Sequence, residues 1–281
     1  MKKITPNEIL ILSQYIYKIS GIFLDEKKSY LLETRLKGLM ENEGCDSYMG
    51  LYRKAQADAT KTLERKIIDA VTTNETLFFR DKSPFDLFQH KIMPDLIDKK
   101  SEGSSGFMPI GIRIWSAACS TGQEVYSIAI VLKELLLDSG KYNIKLLGTD
   151  ISDNAIRQAS YGHYSKFEIE RGLDDKLLRK YFIQNGNSWK IRDDIRAMVA
   201  FQKINLMDSI NSIGKFDIIF CRNVAIYFSL EDRKKLFYQI ADLLNPDGYL
   251  IVGSTESLTG ICPSFEAKRY LRSVFYQLKP L

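Results

Sequence analysis

The chain has 281 residues, of which 45% are hydrophobic and 27% charged. This composition excludes a disordered chain, and the length is sufficient for one large or two modest domains with a buried core. The longest apolar runs fall far short of the ~20 residues that a membrane helix requires, and no secretory cleavage site follows the N-terminus. We therefore expect a soluble, cytoplasmic protein without membrane insertion.

Cysteine, histidine and charge narrow the chemistry further. The four cysteines show no C-x-x-C spacing, which disfavours a disulfide framework or a zinc knuckle. The two histidines, His90 and His163, are far apart and exclude an H-E-x-x-H metalloprotease, so we expect no metal site. Lys and Arg number 40 against 35 Asp and Glu, a net charge of +5 without the basic stripe of a nucleic-acid binder.

Residues 1–73 have an all-helical pattern. Thr5-Pro6-Asn7-Glu8 is a capping-box start with proline in the first turn, and apolar residues then recur at helical spacing. Further helices are predicted at 28–40, 47–56 and 60–71. No strand pattern precedes residue 110.

After residue 110, strands and helices alternate, which predicts an α/β fold with a mostly parallel sheet and helices on both faces. Strands are predicted at 112–115, 144–148, 199–203, 216–221, 249–253 and 274–278, helices at 124–137, 153–159 and 230–244, and a turn at 245–248. Residues 161–196 interrupt this alternation and are interpreted as a small inserted subdomain.

The first two strand ends carry residues suited to a ligand, and ligands of open α/β sheets bind there. Small residues at 116–122 let a backbone approach a ligand closely, but they match neither G-x-G-x-x-G nor a P-loop. A ligand without phosphates is therefore favoured. Asp150 ends the second strand, where it either accepts hydrogen bonds from a ribose diol or caps the next helix.

The next two strand ends are also polar. Asn205 and Leu206 follow the strand at 199–203, where Asn205 holds either an adenine edge or its own loop. Arg222 and Asn223 follow the strand at 216–221. Polar groups at four successive strand ends predict a nucleoside pocket.

Four motifs carry a family resemblance. They are Asn74-Glu-Thr-Leu-Phe-Phe-Arg80, Trp115-Ser-Ala-Ala-Cys-Ser-Thr-Gly-Gln-Glu-Val-Tyr-Ser127, Phe220-Cys-Arg-Asn-Val-Ala-Ile-Tyr-Phe228 and Gly253-Ser-Thr-Glu-Ser-Leu258. In this order they closely resemble the CheR-type chemotaxis receptor methyltransferases, which are protein-glutamate O-methyltransferases. The last motif has Ser254 where the family usually has histidine.

The resemblance implies a Rossmann-like S-adenosylmethionine-dependent methyltransferase domain at 74–281, following an all-helical receptor-docking domain at 1–73. The implied reaction transfers a methyl group from S-adenosyl-L-methionine to glutamate side chains of chemoreceptors, which leaves S-adenosyl-L-homocysteine. The implied partners are cytoplasmic receptor helices, and we expect a monomer that binds no nucleic acid.

By motif, the resemblance also implies site residues. The implied cofactor-binding residues are Asn74, Thr76, Arg80, Glu124, Asp150, Asn205, Leu206, Arg222 and Asn223. Arg80 and Tyr227 are the implied catalytic residues, with Tyr227 beside the sulfonium or, alternatively, a core tyrosine. The residues themselves favour Asp150, Asn205, Arg222 and Asn223. For 74–80 they give no independent view beyond core packing of Phe78 and Phe79.

Lys28, Arg35 and Lys37 on the second helix form a candidate docking face for an acidic receptor, although such side chains are often merely solvated. Some family members bind a receptor C-terminal tether at the inserted subdomain. The turn at 185–189 is short for that pattern, so we expect docking without a tether.

Two other functions remain open from the sequence. One is a methyltransferase for a nucleic acid or a metabolite, and the other is a non-catalytic cofactor-binding signalling protein. Cys119 and Cys221 are interpreted as packed small residues and not as nucleophiles, because free cysteine is among the most buried residue types.

Overall fold

The N-terminal part of the protein is a group of helices that share one buried core. A computed structural model describes residues 3–24, 30–102, 108–136 and 139–280. The first four helices are α1 (Pro6–Ser20), α2 (Tyr30–Asn42), α3 (Tyr48–Ala57) and α4 (Thr62–Val71). The capping box predicted at Thr5 and Glu8 is present, and Gly21 ends α1 in the left-handed conformation at φ 73°. The apolar stripes of all four helices meet in one buried cluster.

A seven-stranded sheet forms the centre of the remaining chain. Its strands are β1 (Ile110–Ala117), β2 (Tyr142–Asp150), β6 (Val199–Lys203), β7 (Phe216–Cys221), β8 (Leu244–Val252), β9 (Phe265–Tyr270) and β10 (Ser273–Leu278). They lie in the order β6-β2-β1-β7-β8-β10-β9. The first five are parallel, whereas β10 is antiparallel to both β8 and β9. The chain therefore reverses its direction of progression between β1 and β7, which is where ligands bind in such sheets.

Helices cover both faces of the sheet. They are α5 (Ser83–Leu87), a π-helical turn (Phe88–Ile92), α6 (Met93–Glu102), α7 (Gln123–Leu135), α8 (Asp153–Tyr161) and α12 (Leu230–Leu243). Alternate side chains of a strand enter two separate cores, as Ile114 and Trp115 of β1 do. Both faces of the central strands are thus buried, and the predicted α/β fold is confirmed.

The interruption at 161–196 forms its own small sheet. It contains β3 (His163–Ser165), α9 (Lys166–Glu170), α10 (Asp175–Tyr181), β4 (Phe182–Asn185), β5 (Ser188–Ile191) and α11 (Asp193–Arg196). The three strands are antiparallel in the order β3-β5-β4, and a tight turn at Gly186 (φ 58°) joins the last two.

Two features of the sheet region differ from the sequence prediction. The predicted turn at 245–248 lies within β8, where a register irregularity opposite Phe216 accommodates the extra residues. The edge strand β9 and the helices at 83–102 had not been predicted. No helix in the described ranges is both long and apolar enough to cross a membrane.

Candidate active site

A cavity of about 310 Å³ opens beyond the carboxyl ends of the parallel strands. Its wall contains every site residue singled out from the sequence: Asn74, Thr76, Arg80, Glu124, Asp150, Asn205, Leu206, Arg222, Asn223 and Tyr227. The predicted gathering of polar groups from four strand ends is therefore present in the structure. The role of each residue stays a prediction.

The loop between β1 and α7 lines the cavity in an unusual backbone conformation. Ala118 and Ser120 both have positive φ, 56° and 51°, which costs roughly 1–2 kcal/mol for each non-glycine residue. Gly122 follows at φ 96°, and a Cβ on it would lie 3.0 Å from the Cβ of Ala159. Backbone strain of this kind is common where a loop is shaped for a ligand.

Asp150 ends β2 on the cavity wall and is 7% exposed. Its carboxylate accepts hydrogen bonds from the backbone N–H groups of Ser120 and Ser152, both at 2.9 Å. Burial is the largest influence on this carboxyl and raises its pKa. The alternative interpretation of Asp150 as the helix cap is wrong, because the side chain of Ser152 caps α8.

Arg222, directly after β7, joins three parts of the site. Its side chain is 1% exposed and forms ion pairs with Glu124 at 2.9 Å and Asp81 at 3.1 Å. It also donates a hydrogen bond to the carbonyl oxygen of Arg80 at 2.8 Å. Glu124 is fixed in turn by the hydroxyl of Ser116, which donates to it at 2.8 Å. The cation of Arg222 is thus largely compensated within the protein.

Arg80 stands in a tightly held loop. Phe79 and Asp81, on either side of it, have φ values of 50° and 55°. The N–H of Phe79 donates to the hydroxyl of Ser127 at 2.9 Å. The Arg80 guanidinium donates to the carbonyl oxygen of Glu75 at 3.2 Å, and no carboxylate among the described residues lies within ion-pair distance of it. Arg80 is consequently a half-buried cation on the cavity wall with donors to spare.

Phe78 points away from the cavity. It is fully buried, and its ring makes edge contacts with Tyr164 at 5.0 Å and Phe182 at 5.3 Å between centroids. The core-packing interpretation of this residue is confirmed. Phe79 packs its ring on Phe85 at 5.3 Å.

Glu256 had no role in the sequence interpretation, yet it supports the end of β7. Its carboxylate accepts hydrogen bonds from the N–H groups of Asn223 at 2.6 Å and Gly253 at 2.8 Å. Asn223 has a φ of 57°, so this carboxylate stabilises a left-handed residue on the cavity wall. A Cβ on Gly253 would lie 2.5 Å from the same carboxylate, which explains glycine there.

The N-terminal helices close the cavity on the side away from the sheet. The amide of Asn205 donates to the carbonyl oxygen of Ile19 at 3.4 Å, and Phe23 N–H donates to the carbonyl oxygen of Tyr227 at 2.8 Å. Because Asn205 also accepts from the N–H of Met207 at 3.0 Å, its side chain holds both its own loop and α1. Residues 22–24 and 30–31 line the cavity as well. The sequence could not reveal this, since these contacts join segments about 200 residues apart.

The docking face predicted on α2 needs a correction at Arg35. Its guanidinium donates to the carbonyl oxygen of Val71 and to the hydroxyl of Thr73, the latter at 2.8 Å. Arg35 therefore lies on the cavity wall and fixes the segment before Asn74, and it is not a free docking side chain. Lys37 is half-buried, and Lys28 lies outside the described residues.

The inserted subdomain packs against the segment that carries Arg80. A Cβ on Gly172 would lie 1.9 Å from the carbonyl oxygen of Phe78, and Arg171 forms an ion pair with Glu75 at 3.1 Å. We expect Gly172→Ala to displace residues 74–80 and to destabilise the protein by about 1–3 kcal/mol, the usual range for overpacking. The melting temperature and the methyl-transfer rate should both fall.

Gly111→Ala is the matched control for this substitution. Gly111 also lies in the sheet region, but among the described residues no atom beyond its chain neighbours lies within 4 Å of a Cβ built on it. Both measurements should stay at wild-type values in that variant. Equal behaviour of the two variants would mean that the contact between the subdomain and the Arg80 segment has no effect.

The cavity suits a nucleoside with a charged amino-acid tail. Asp150 is a buried carboxylate that retains free lone pairs for hydroxyl donors, and Leu206 and Val224 supply apolar wall for a base. The ion-paired side chains of Glu124 and Arg222 add charged groups to the same cavity wall. Among the described residues, no cluster of His, Cys, Asp and Glu could hold a metal ion. The residues present therefore fit S-adenosylmethionine.

The strand order and this cavity define the class, a Rossmann-like S-adenosylmethionine-dependent methyltransferase. Two family models match the chain: "CheR methyltransferase, all-alpha domain" over residues 7–72 and "CheR methyltransferase, SAM binding domain" over residues 74–270. The chain belongs to the CheR methyltransferase family. It is an S-adenosylmethionine-dependent methyltransferase of chemotaxis, and the predicted family, enzyme class and cofactor are confirmed.

Curated relatives agree along nearly the whole chain. The chemotaxis protein methyltransferase Cher2 of Pseudomonas putida is 38% identical over 94% of this chain and 95% of its own. The chemotaxis protein methyltransferase of Vibrio parahaemolyticus is 38% identical over 98% of both chains. That of Borreliella burgdorferi is 36% identical over 92% of this chain and 90% of its own.

Proposed function

We propose that the protein methylates glutamate side chains of chemoreceptors, the methyl-accepting chemotaxis proteins, and forms glutamate methyl esters. The observation that carries this proposal is Arg80, a cation without a carboxylate partner among the described residues, on the wall of the cofactor cavity. Such a group suits an anionic acceptor. A glutamate side chain, with a pKa of ~4.3, is already ionised at neutral pH and needs no general base.

For the cofactor, we assign the residues according to their position. Asp150 accepts hydrogen bonds from the ribose hydroxyls, and Glu124 accepts from the amino group. Asn205 and Leu206 frame the adenine. Four further residues complete the wall of the cavity and surround the methionine part of the cofactor: Asn74, Thr76, Arg222 and Asn223. When bound, S-adenosylmethionine supplies a methyl group on a positively charged sulphur.

The protein's own residues orient the reacting groups and provide a favourable electrostatic environment for the reaction. Arg80 orients the incoming carboxylate so that one oxygen faces the methyl group, and well-oriented pairs gain roughly 7–11 kcal/mol from alignment. Tyr227 presents its ring or hydroxyl beside the sulfonium, which an aromatic face favours. Phe23 and Leu31 of the N-terminal domain add apolar wall to the cavity, and a less polar surrounding strengthens the electrostatic interactions inside it.

We propose a separate role for each of the two domains. Residues 1–73 form the receptor-docking domain and residues 74–281 the methyltransferase domain, with the inserted subdomain at about 161–196. The protein acts as a monomer in the cytoplasm on the cytoplasmic helices of receptors. A nucleophilic-cysteine mechanism on a nucleic acid is not favoured, because burial raises the pKa of the Cys119 and Cys221 thiols well above the usual value.

Methyl transfer from labelled S-adenosylmethionine to a receptor cytoplasmic domain tests the function. The proposal requires base-labile label on the receptor, located at glutamate residues by mass spectrometry. Label in nucleic acid, or tight cofactor binding without any transfer, would contradict it.

The docking face is tested separately by charge reversal. Lys28→Glu combined with Lys37→Glu should weaken receptor methylation about tenfold, because electrostatic steering sets the encounter rate, and leave the affinity for S-adenosylhomocysteine unchanged. Arg35→Glu is the contrasting variant. Because Arg35 holds Val71 and Thr73 on the cavity wall, its reversal should also weaken cofactor binding. Loss of cofactor affinity in the lysine variant would count against a docking face. Docking is proposed to occur without a receptor tether.

A further inference from the structure

Asp81, a residue outside the predicted site, lies where it can control Arg80. Its carboxylate accepts a hydrogen bond from Nη2 of Arg222 at 3.1 Å and another from the hydroxyl of Ser254 at 3.3 Å. The same Nη2 atom donates to the carbonyl oxygen of Arg80 at 2.8 Å. One guanidinium group thus holds the backbone of residue 80 and the side chain of residue 81 together.

Arg222 can serve as a fixed anchor because it has other partners. Its Nη1 atom donates to Glu124 at 2.9 Å, and the guanidinium carbon lies 5.6 Å from the ring centroid of Phe85. The Arg222 side chain is 1% exposed, whereas that of Asp81 is 38% exposed. Removal of the Asp81 carboxylate therefore leaves Arg222 paired with Glu124 and opens no buried cavity, so variants at 81 are expected to fold.

The backbone conformation of this loop is strained and is maintained by side-chain contacts. Residues 79 and 81 both lie in the left-handed region, which non-glycine side chains rarely adopt. Phe79 is tied to Ser127 and Phe85 on one side of Arg80. On the other side of Arg80, the Asp81 carboxylate accepts hydrogen bonds from Arg222 and Ser254. The direction in which Arg80 leaves the backbone depends on both.

We propose that Asp81 is a positioning residue for the methyl-transfer reaction, which keeps Arg80 directed at the acceptor carboxylate through its ion pair with Arg222. This inference rests on the proposed role of Arg80. Asp81 itself is not among the residues that line the cavity. Its effect should appear in turnover and not in cofactor affinity.

Two substitutions separate the carboxylate from the backbone conformation. Asp81→Asn keeps a hydrogen-bond acceptor and tolerates positive φ, but removes the charge. Asp81→Gly relieves the backbone strain completely and removes the side chain. If the carboxylate positions Arg80, kcat at saturating cofactor and receptor should fall several-fold in Asp81→Asn and about 10²-fold in Asp81→Gly, the usual cost of a misplaced catalytic group.

The affinity of both variants for S-adenosylhomocysteine, measured by calorimetry, should stay within about threefold of wild type, since Arg222 on the cofactor wall keeps its ion pair with Glu124. Asp98→Asn is the matched control. Asp98 is an exposed acid on α6 in the same domain, and its replacement should change neither quantity. A wild-type kcat for Asp81→Gly would overturn the inference. So would a variant whose turnover falls only because it binds the cofactor more weakly.

The double variant Arg80→Ala, Asp81→Gly shows whether Asp81 acts through Arg80. In the Arg80→Ala background, Asp81→Gly should cause almost no further loss of kcat, because the effects of residues that act as a unit are not additive. The same loss in both backgrounds would show that Asp81 has a separate structural role. Wild-type turnover of Arg80→Ala alone would instead remove the proposed role of Arg80, and this inference with it.

Discussion

Asp150→Ala is expected to weaken the binding of S-adenosylhomocysteine by at least ~10²-fold. A buried carboxylate that accepts two ribose hydroxyls makes charge-assisted hydrogen bonds of about 1.5–3 kcal/mol each, and 1.4 kcal/mol corresponds to a factor of ten in affinity. Isothermal calorimetry of the wild type and the variant measures this loss directly. It is the largest loss of cofactor affinity expected from any single substitution in the cavity.

Two variants control for damage to the loop around Asp150. Asp150→Asn keeps one acceptor oxygen, enough for the N–H group of either Ser120 or Ser152 but not both, and should bind with intermediate affinity. Asp153 lies three residues after Asp150, and its partly exposed carboxylate pairs with Lys203. Asp153→Asn should therefore bind the cofactor as the wild type does. Affinity within about threefold of wild type in Asp150→Ala would contradict the assignment of the ribose.

The binding should also depend on pH in a defined direction. Burial raises the pKa of Asp150, so this carboxyl takes up a proton at higher pH in the folded protein than in the unfolded chain. Because the ionised form accepts from the ribose, cofactor affinity should fall as the pH drops through the raised pKa. The buried charge destabilises the free protein above that pKa, and this penalty disappears on acidification. Asp150→Asn should lose the affinity step.

The second large effect is expected for Arg80→Ala, with methyl transfer at saturating cofactor reduced by about 10²–10³-fold, as for removal of one preorganised donor at a reacting group. Arg80→Lys keeps the charge but not the planar fork, and should recover only part of the rate. The measurement is turnover of labelled cofactor with a receptor cytoplasmic fragment, together with calorimetric affinity for S-adenosylhomocysteine.

Lys82→Ala controls for a general change of charge beside the cavity. Lys82 is an exposed cation two residues along the chain and should leave the rate unchanged. Arg80 also lies on the cofactor wall, so some loss of affinity is expected in Arg80→Ala, but a smaller one than the loss of turnover. Equal losses would reduce Arg80 to a cofactor ligand without a part in orienting the acceptor.

The sequence predicts the strands of the parallel sheet well because the pattern that defines each of them lies within a few consecutive residues. Phe216–Cys221 is a short apolar run that is buried on both faces, and its predicted bounds are those observed. The predicted bounds of Val199–Lys203 are also those observed, although this edge strand is only partly buried. Polar residues directly after such strands must gather at one edge of a parallel sheet, which is why Asp150 and Arg222 were found without any knowledge of contacts.

The missed elements depend on contacts that a local pattern does not contain. β9 is an edge strand with exposed charged side chains such as Glu266 and Lys268, so it lacks the apolar run of a buried strand. Asn245, Pro246 and Gly248 favour a turn by their composition, yet pairing with β7 extends β8 through them. Tertiary pairing overrides local preference there.

The supporting residues of the site were hidden for the same reason. Arg35 has the helical position of a surface cation, and only the fold brings it to Val71 and Thr73. Asp81 pairs with the buried guanidinium of Arg222, and Glu256 accepts from the N–H of Asn223; both partners lie far away in sequence. Long-range hydrogen bonds of this kind leave no periodicity, so the sequence indicated residues that the structure places on the cavity wall but not the residues that hold them.

A crystal structure of the protein with S-adenosylhomocysteine tests the central claim most directly. The account predicts the ribose hydroxyls within hydrogen-bond distance of the Asp150 carboxylate and the Arg80 guanidinium turned toward the side of the sulphur from which a carboxylate can approach. A ligand bound elsewhere, or Arg80 directed into the protein interior with the ligand in place, would contradict it.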